Sequence, residues 1–259
     1  MKKNHRRFSM IAMLIAMLLF SSVTCFASGP IPPIDDSAGG NNIQRNVKDP
    51  THVPRGAAEI SQEELQVWLK ENEKERLPQF ESSSIKASTA SWIYTHNTSY
   101  TFYYYGQELY YSCGAASVRM ALKGLSNLNL SESEIRQGCK TDAGGTFVKY
   151  MTPYLNKKQN NYTYHSRYSI VQSGFHTFLH YAVSNGAPPI IGIKANAADG
   201  WFYETSGHFI VAYGIKSDES SYALADPWGG YAGVNAWKWY TKSAADVWAV
   251  YTSLIGYIS

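Results

Sequence analysis

The order of amphipathic segments predicts an α+β fold, and three observations carry that prediction. Apolar residues recur three and four apart in the segments between Cys113 and Val183, as helices require. Short runs rich in Ile, Val, Phe and Tyr follow from Pro189 onward, and Ser217-Asp218-Glu219-Ser220 reads as a hairpin turn between two of them. Helices first and antiparallel strands afterwards is an α+β order. The 259 residues are 44% hydrophobic and 17% charged, which excludes a charged disordered chain and leaves one globular domain, or one domain with an extension.

Residues 1–27 read as a secretory signal peptide: Lys2, Lys3, Arg6 and Arg7, then an apolar run from Phe8 to Leu19, then mostly small residues up to Ala27. An uncleaved anchor is a second reading, although the run falls short of the ~20 residues that cross a bilayer. A lipid anchor on Cys25 fits poorly after Ser22-Val23-Thr24. The signal holds four of the 23 basic side chains and none of the 20 acidic ones, so the formal charge of +3 becomes −1 without it. Nucleic acid as a partner thereby loses its main support, a lasting positive surface. No second apolar run is long enough to span a bilayer. The expectation is a secreted or envelope protein with no stable membrane span after cleavage.

Residues 28–89 form a linker or propeptide-like region. Its first half is rich in Pro, Gly, Asn and Asp, and Gly39-Gly40 reads either as a self-processing site or as flexible linker. One helix is expected over residues 61–76. Ser61 and Glu64 have capping-box spacing, and Leu65, Trp68 and Leu69 make the apolar stripe. Glu63 and Glu64 at its start and Lys74 and Arg76 at its end suit the helix dipole, and Pro78 stops it.

Residues 90–259 form the folded domain, long enough to bury roughly 70% of its unfolded surface. A strand is expected over residues 100–105, and a helix from Cys113 to Leu122 with Gly124 as its stop. Ser131 and Glu134 open a short helix. After a turn at residues 142–145, Thr146 caps a helix buried through Phe147, Met151, Tyr154 and Leu155. Phe175, Phe178, Leu179, Ala182 and Val183 mark the next helix, stopped by Gly186. Strands are expected over residues 189–194, 207–215, 221–226 and 254–258.

Cys113 opens a helix, where unsatisfied N–H groups and the dipole favour a thiolate. The small residues Gly114, Ala115 and Ala116 leave room there for a substrate backbone. Gln107, six residues upstream, can donate its amide to an oxyanion forming beside the sulfur. A cysteine nucleophile needs a base, and the base an orienting partner. His208 opens one strand and Asp226 ends the next, so a hairpin can set them side by side. Asp226 would hold one ring nitrogen of His208 and turn the other toward Cys113.

Gln107-x5-Cys113-Gly114-x-Ala116, Gly207-His208-Phe209 and Asp226-Pro227-Trp228, in that order, resemble the papain-fold cysteine peptidases related to bacteriocin-processing, double-glycine leader peptidases, most nearly their free-standing secreted relatives. The resemblance spans about Tyr103 to Trp228. It implies a helical half and an antiparallel sheet half with the active cleft between them. It also implies Gln107 as oxyanion donor, Cys113 as nucleophile, His208 as general base and acid, and Asp226 as the residue that orients it. The substrate would be a peptide or protein, cleaved at a peptide or isopeptide bond, with no metal or organic cofactor. Ser112 stands where leader peptidases usually carry an acid. The helix at residues 61–76 then has two readings: a propeptide helix that lies over the active site and blocks it, or a spacer.

Blander readings stand beside these. Cys113 and Cys139 are the two cysteines left after signal cleavage, and exported pairs usually bridge, which would make the chain a non-catalytic envelope-binding module. Acyl transfer would use the same four residues with an amine replacing water. His208 is otherwise a core histidine, Asp226 a strand-ending turn residue, and Gln107 a surface amide. His176 and His180 have a zinc-compatible spacing but lack the intervening glutamate, so a solvated helix face is the better reading. Trp237, Trp239, Tyr240 and Trp248 read as core and strand-pair aromatics or as a carbohydrate-binding surface.

Overall fold

The structure is a computed structural model, and it describes residues 56–72, 90–95, 102–169, 171–230 and 236–259. The expected signal peptide, Gly39-Gly40 and the expected end of the first helix (Lys74, Arg76, Pro78) lie outside the described residues. In chain order the regular elements are α1 (Gln62–Glu71), β1 (Trp92–Tyr94), α2 (Cys113–Ser126), α3 (Glu132–Gly138), α4 (Val148–Lys158), β2 (Ser166–Arg167) and α5 (Gln172–Ser184). There follow β3 (Ile190–Ala195), β4 (Thr205–Lys216), β5 (Ser221–Ala225), β6 (Trp239–Ser243), α6 (Ala244–Val250) and β7 (Tyr257–Ile258). The class is α+β, as the order of segments predicts.

The strands form one seven-stranded sheet in the order β2-β7-β3-β4-β5-β6, every pairing antiparallel, with β1 also paired to β4. β4 is its axis, and its side chains divide between two cores as the two-residue period of a strand requires. Phe209, Val211 and Tyr213 pack with Val118, Ile135, Met151 and Leu155 of α2–α4. Ile210 and Ala212 pack with Phe175 and Leu179 of α5 and with Val247 and Val250 of α6. The larger helical half therefore covers one sheet face, with α2 lying directly against β4. Among the described residues no helix is long and apolar enough to cross a membrane.

Local chemistry explains three of the six described α-helix starts, those after Ser61, Ser131 and Ser243. The Ser61 hydroxyl accepts from Glu64 N–H and the Glu64 carboxylate accepts from Ser61 N–H, each at 3.1 Å, so the expected capping box is complete. Ser131 caps α3 by accepting from Glu134 N–H at 3.1 Å, while the Glu134 carboxylate turns to Lys158 at 2.7 Å.

Four expectations are corrected. Residues 102–105 are irregular rather than a strand, because Phe102 stacks on Tyr213 and Tyr104 bonds the Asp226 carbonyl instead of joining a ladder. Gly124 does not stop α2. A Cβ there would stand 3.1 Å from the Phe102 ring, so it is glycine for close packing, and Asn127 at φ 54° ends the helix. Thr146 does not cap α4. Phe147 holds that position, and the Thr146 hydroxyl bonds that of Thr141 at 2.8 Å. The last strand shrinks to Tyr257–Ile258, since residues 253–255 form a turn. β1, β2, β6 and α6 have no counterpart among the expected elements.

At Gly192 in β3 the chain after α6 passes close over the sheet. A Cβ there would lie 2.2 Å from Ile255 Cγ2 and 2.5 Å from the Gly256 carbonyl oxygen. Gly192→Val should therefore cost about 1–3 kcal/mol in urea unfolding, the usual range for overpacking. A change below about 0.5 kcal/mol, typical of exposed sites, contradicts this packing.

Candidate active site

The sulfur-bearing residue is placed by a helix start. Cys113 is the first residue of α2 and is fully buried. Ser112, before it, does not cap the helix with its hydroxyl. That group accepts from Leu109 N–H at 3.0 Å and donates to Leu109 O at 2.9 Å, closing the turn that leads in. A Cβ on Gly114 would stand 2.7 Å from Thr146 and 3.3 Å from Phe209. The space that small residues were expected to leave for a substrate is, at Gly114, filled by protein.

Gln107 stands on the loop before α2, nearly buried, with its N–H donating to Pro227 O at 2.9 Å. One amide hydrogen of Nε2 goes to Leu109 O at 2.8 Å, which leaves the second free to donate, and Oε1 is buried without a partner. The loop is held from beneath by Glu132, whose two carboxylate oxygens accept from Glu108 N–H at 3.1 and 3.0 Å. Burial raises the Glu132 carboxyl above its ordinary pKa.

His208 and Asp226 come from neighbouring strands, β4 and the end of β5. His208 Nε2 bonds Asp226 Oδ1 at 2.7 Å, and both side chains are fully buried. The carboxylate is saturated. Oδ1 also accepts from Trp228 N–H at 2.9 Å, and Oδ2 accepts from Tyr240 O–H at 3.0 Å and from Tyr203 O–H. Burial, and after it the Asp226 charge, raises both phenols well above 10, so they remain donors. Trp228 and Tyr203 also flank the imidazole, with ring centroids 5.5 and 5.8 Å away.

The other imidazole nitrogen, Nδ1, is buried and makes no hydrogen bond of ordinary geometry. Burial pulls the His208 pKa down, but Asp226 and then Cys113 outweigh it and lift the value from 6.5 to about 10. Cys113 is thus near enough to act on the imidazole's charge. The structure brings Cys113, His208, Asp226 and Gln107 into one place. Glu132, Trp228, Tyr203 and Tyr240 belong to the same place, and the sequence reading assigned none of them a part there. Only Trp228, next to Asp226-Pro227, stood within the recognised motif.

The remaining candidates fall elsewhere. Cys113 and Cys139 are both free thiols, so the expected alternative of a bridge between them is not what the structure holds. Burial pushes the Cys139 thiol up to about 12. His176 pairs with Tyr222 and Gln172, while His180 pairs with Glu219 at 2.8 Å, so the two rings serve separate partners. Trp239 packs on Phe102, Tyr104 and Tyr213, and Trp248 stacks on Tyr251.

A family model described as the Peptidase_C39 like family matches residues 80–255. Among solved structures, the chain is similar to the peptidase domain of Streptococcus ComA, described as a bi-functional ABC transporter involved in a quorum sensing pathway. That match has 18% identity and a TM-score of 0.45, covering 61% of this chain and 97% of that one. Recombinant stem bromelain precursor matches at 15% identity and a TM-score of 0.34, covering 56% of this chain and 60% of that one. No curated protein matches the sequence.

A raised histidine pKa makes the imidazolium the form that folding favours. Its contribution to stability is complete below the ordinary value of 6.5 and is lost as pH rises toward about 10. The Tm of the wild-type chain should therefore fall across that window. Asp226→Asn removes the charge opposing burial and should flatten this part of the Tm–pH curve. Parallel curves for the two chains contradict the assignment.

Proposed function

This chain belongs to the Peptidase_C39-like family, and on that premise we propose that it is a papain-like cysteine peptidase acting outside the cytoplasm, with Cys113 as nucleophile. The observation that carries the reading is the buried 2.7 Å bond from His208 Nε2 to Asp226, on a ring that Cys113 also acts on. Export is supported by the basic start and apolar run within residues 1–27.

The chemistry follows from these positions. The Cys113 thiolate adds to the carbonyl carbon of a peptide bond, and the carbonyl electron pair moves onto oxygen. The free Nε2 hydrogen of Gln107 and the Cys113 backbone N–H hold that oxyanion. The His208 imidazolium, fixed by Asp226, gives its proton to the leaving amine as the C–N bond breaks, leaving a thioester on Cys113. Neutral His208 then takes a proton from water, the resulting hydroxide attacks the thioester, and the acid product leaves as the C–S bond breaks, which restores the Cys113 thiolate and the His208 imidazolium.

Peptide-library hydrolysis read by mass spectrometry tests this. Cys113→Ala should fold with unchanged circular dichroism and lose all measurable turnover. Gln107→Ala should lower kcat by about 10²–10³-fold, the loss seen when one oxyanion donor is removed. Turnover that survives in Cys113→Ala overturns the proposal.

A further inference from the structure

Cys113 is sealed by the chain's own N-terminal segment. A Cβ built on Gly56 would stand 2.2 Å from Cys113 Sγ and 3.3 Å from Cys113 Cβ, so residue 56 lies directly on the sulfur and only glycine fits there. The segment is bound through its backbone on both edges. Gly56 N–H and Ala57 N–H both donate to Gly207 O, at 3.1 and 3.2 Å, one residue before His208. On its other edge Thr146 N–H donates to Gly56 O and Ala58 N–H donates to Thr146 O, each at 3.0 Å, which makes a parallel bridge. Backbone pairing of this kind is how an extended peptide docks on an exposed edge.

Among the described residues, the first two carbonyls of this segment are not presented for attack. Cleavage needs the scissile carbonyl oxygen to rest on the oxyanion donors. The Gly56 carbonyl instead rests on Thr146 N–H. The Ala57 carbonyl lies against Gly207, where an added Cβ would come within 2.6 Å of it. The segment is also anchored beyond the cleft. Ile60 N–H donates to Leu254 O at 2.8 Å, Ile60 and Leu65 are buried in the core of the helical half, and Trp68 sets its edge on Tyr168. Glu59 and Glu64 meet Lys194 and Lys149 at 3.0 and 2.7 Å.

We propose that residues 56–60, anchored by α1, are an intramolecular plug that covers Cys113 until the segment is displaced or cut away from the domain. The element that reaches the sulfur is the extended stretch before the helix, and the helix is its anchor. The proposal rests on the peptidase reading for its purpose, but the plug itself is a statement about access to a thiol.

Iodoacetamide labelling of Cys113, followed by intact and peptide mass, tests it without needing turnover. Gly56→Leu forces a side chain into the sulfur's space and should raise the Cys113 labelling rate at least tenfold over the wild-type chain. A site-specific protease sequence inserted between residues 72 and 90 supplies a second route. Cutting there should raise labelling similarly, and a synthetic peptide of residues 54–72 should lower it again. Cys139, buried and outside the cleft, should stay unlabelled throughout, which separates an opened cleft from an unfolded chain. Equal Cys113 labelling in the wild-type, Gly56→Leu and cut chains overturns the plug, and leaves the peptidase reading standing if the wild-type chain hydrolyses peptides. Faster labelling with no hydrolysis in any form keeps the plug and removes the peptidase reading.

Discussion

A charged pair in a dry interior, His208 against Asp226, is the constraint around which the sheet side of this molecule is built. Taking a carboxylate and an imidazolium out of water costs several kcal/mol each unless geometry and hydrogen bonds offset it. The fold offsets it by giving Asp226 four donors: the imidazole, the Trp228 N–H and the hydroxyls of Tyr203 and Tyr240. Each donor comes from a different stretch, so β4, the turn after β5, β6 and the loop before β4 all have to close on one carboxylate. Losing both donors of either oxygen would leave a buried acceptor unpaired, which is costlier than the bonds were favourable.

The helical half meets this pair through α2 and the loop before it. Gln107 N–H reaches Pro227 O, and the Tyr104 hydroxyl reaches Asp226 O, so the segment before α2 is tied to the residues after β5. Glu132 fixes the same loop from the other side through Glu108 N–H. The position of Cys113 relative to His208 thus depends on these hydrogen bonds together with the packing of α2 on β4. An arrangement of that kind holds reacting groups rigidly, as catalysis by preorganised donors requires. Residues 56–58 lie between Thr146 and Gly207 and pair with the backbone of both.

Much of this was legible because local chemistry and tertiary demand agree. Ser61 with Glu64 and Ser131 with Glu134 announce helix starts that the structure uses, and the strand content of β3, β4 and β5 matches their periodic apolar residues. The illegible parts are those where a distant contact overrides a local sign. Gly124 looks like a stop and is a packing glycine under Phe102; Thr146 looks like a cap and is a pairing residue for the segment at 56–58. Within the site, Cys113, His208, Asp226 and Gln107 carry chemistry in their side-chain types and spacing. Tyr203 and Tyr240 carry none, since a tyrosine that holds a carboxylate reads like any strand or loop aromatic until the sheet is assembled.

Proton NMR of the imidazole in the wild-type chain at pH 8 tests the central claim most directly. A charged His208 bonded through Nε2 to a buried Asp226 should give a strongly downfield, slowly exchanging N–H resonance that disappears in His208→Gln. Its ring carbon shifts should be those of an imidazolium at a pH where an ordinary histidine is neutral. A neutral ring at pH 8 with no downfield proton would contradict the account, because the sheet would then hold no charged pair for Cys113 to face.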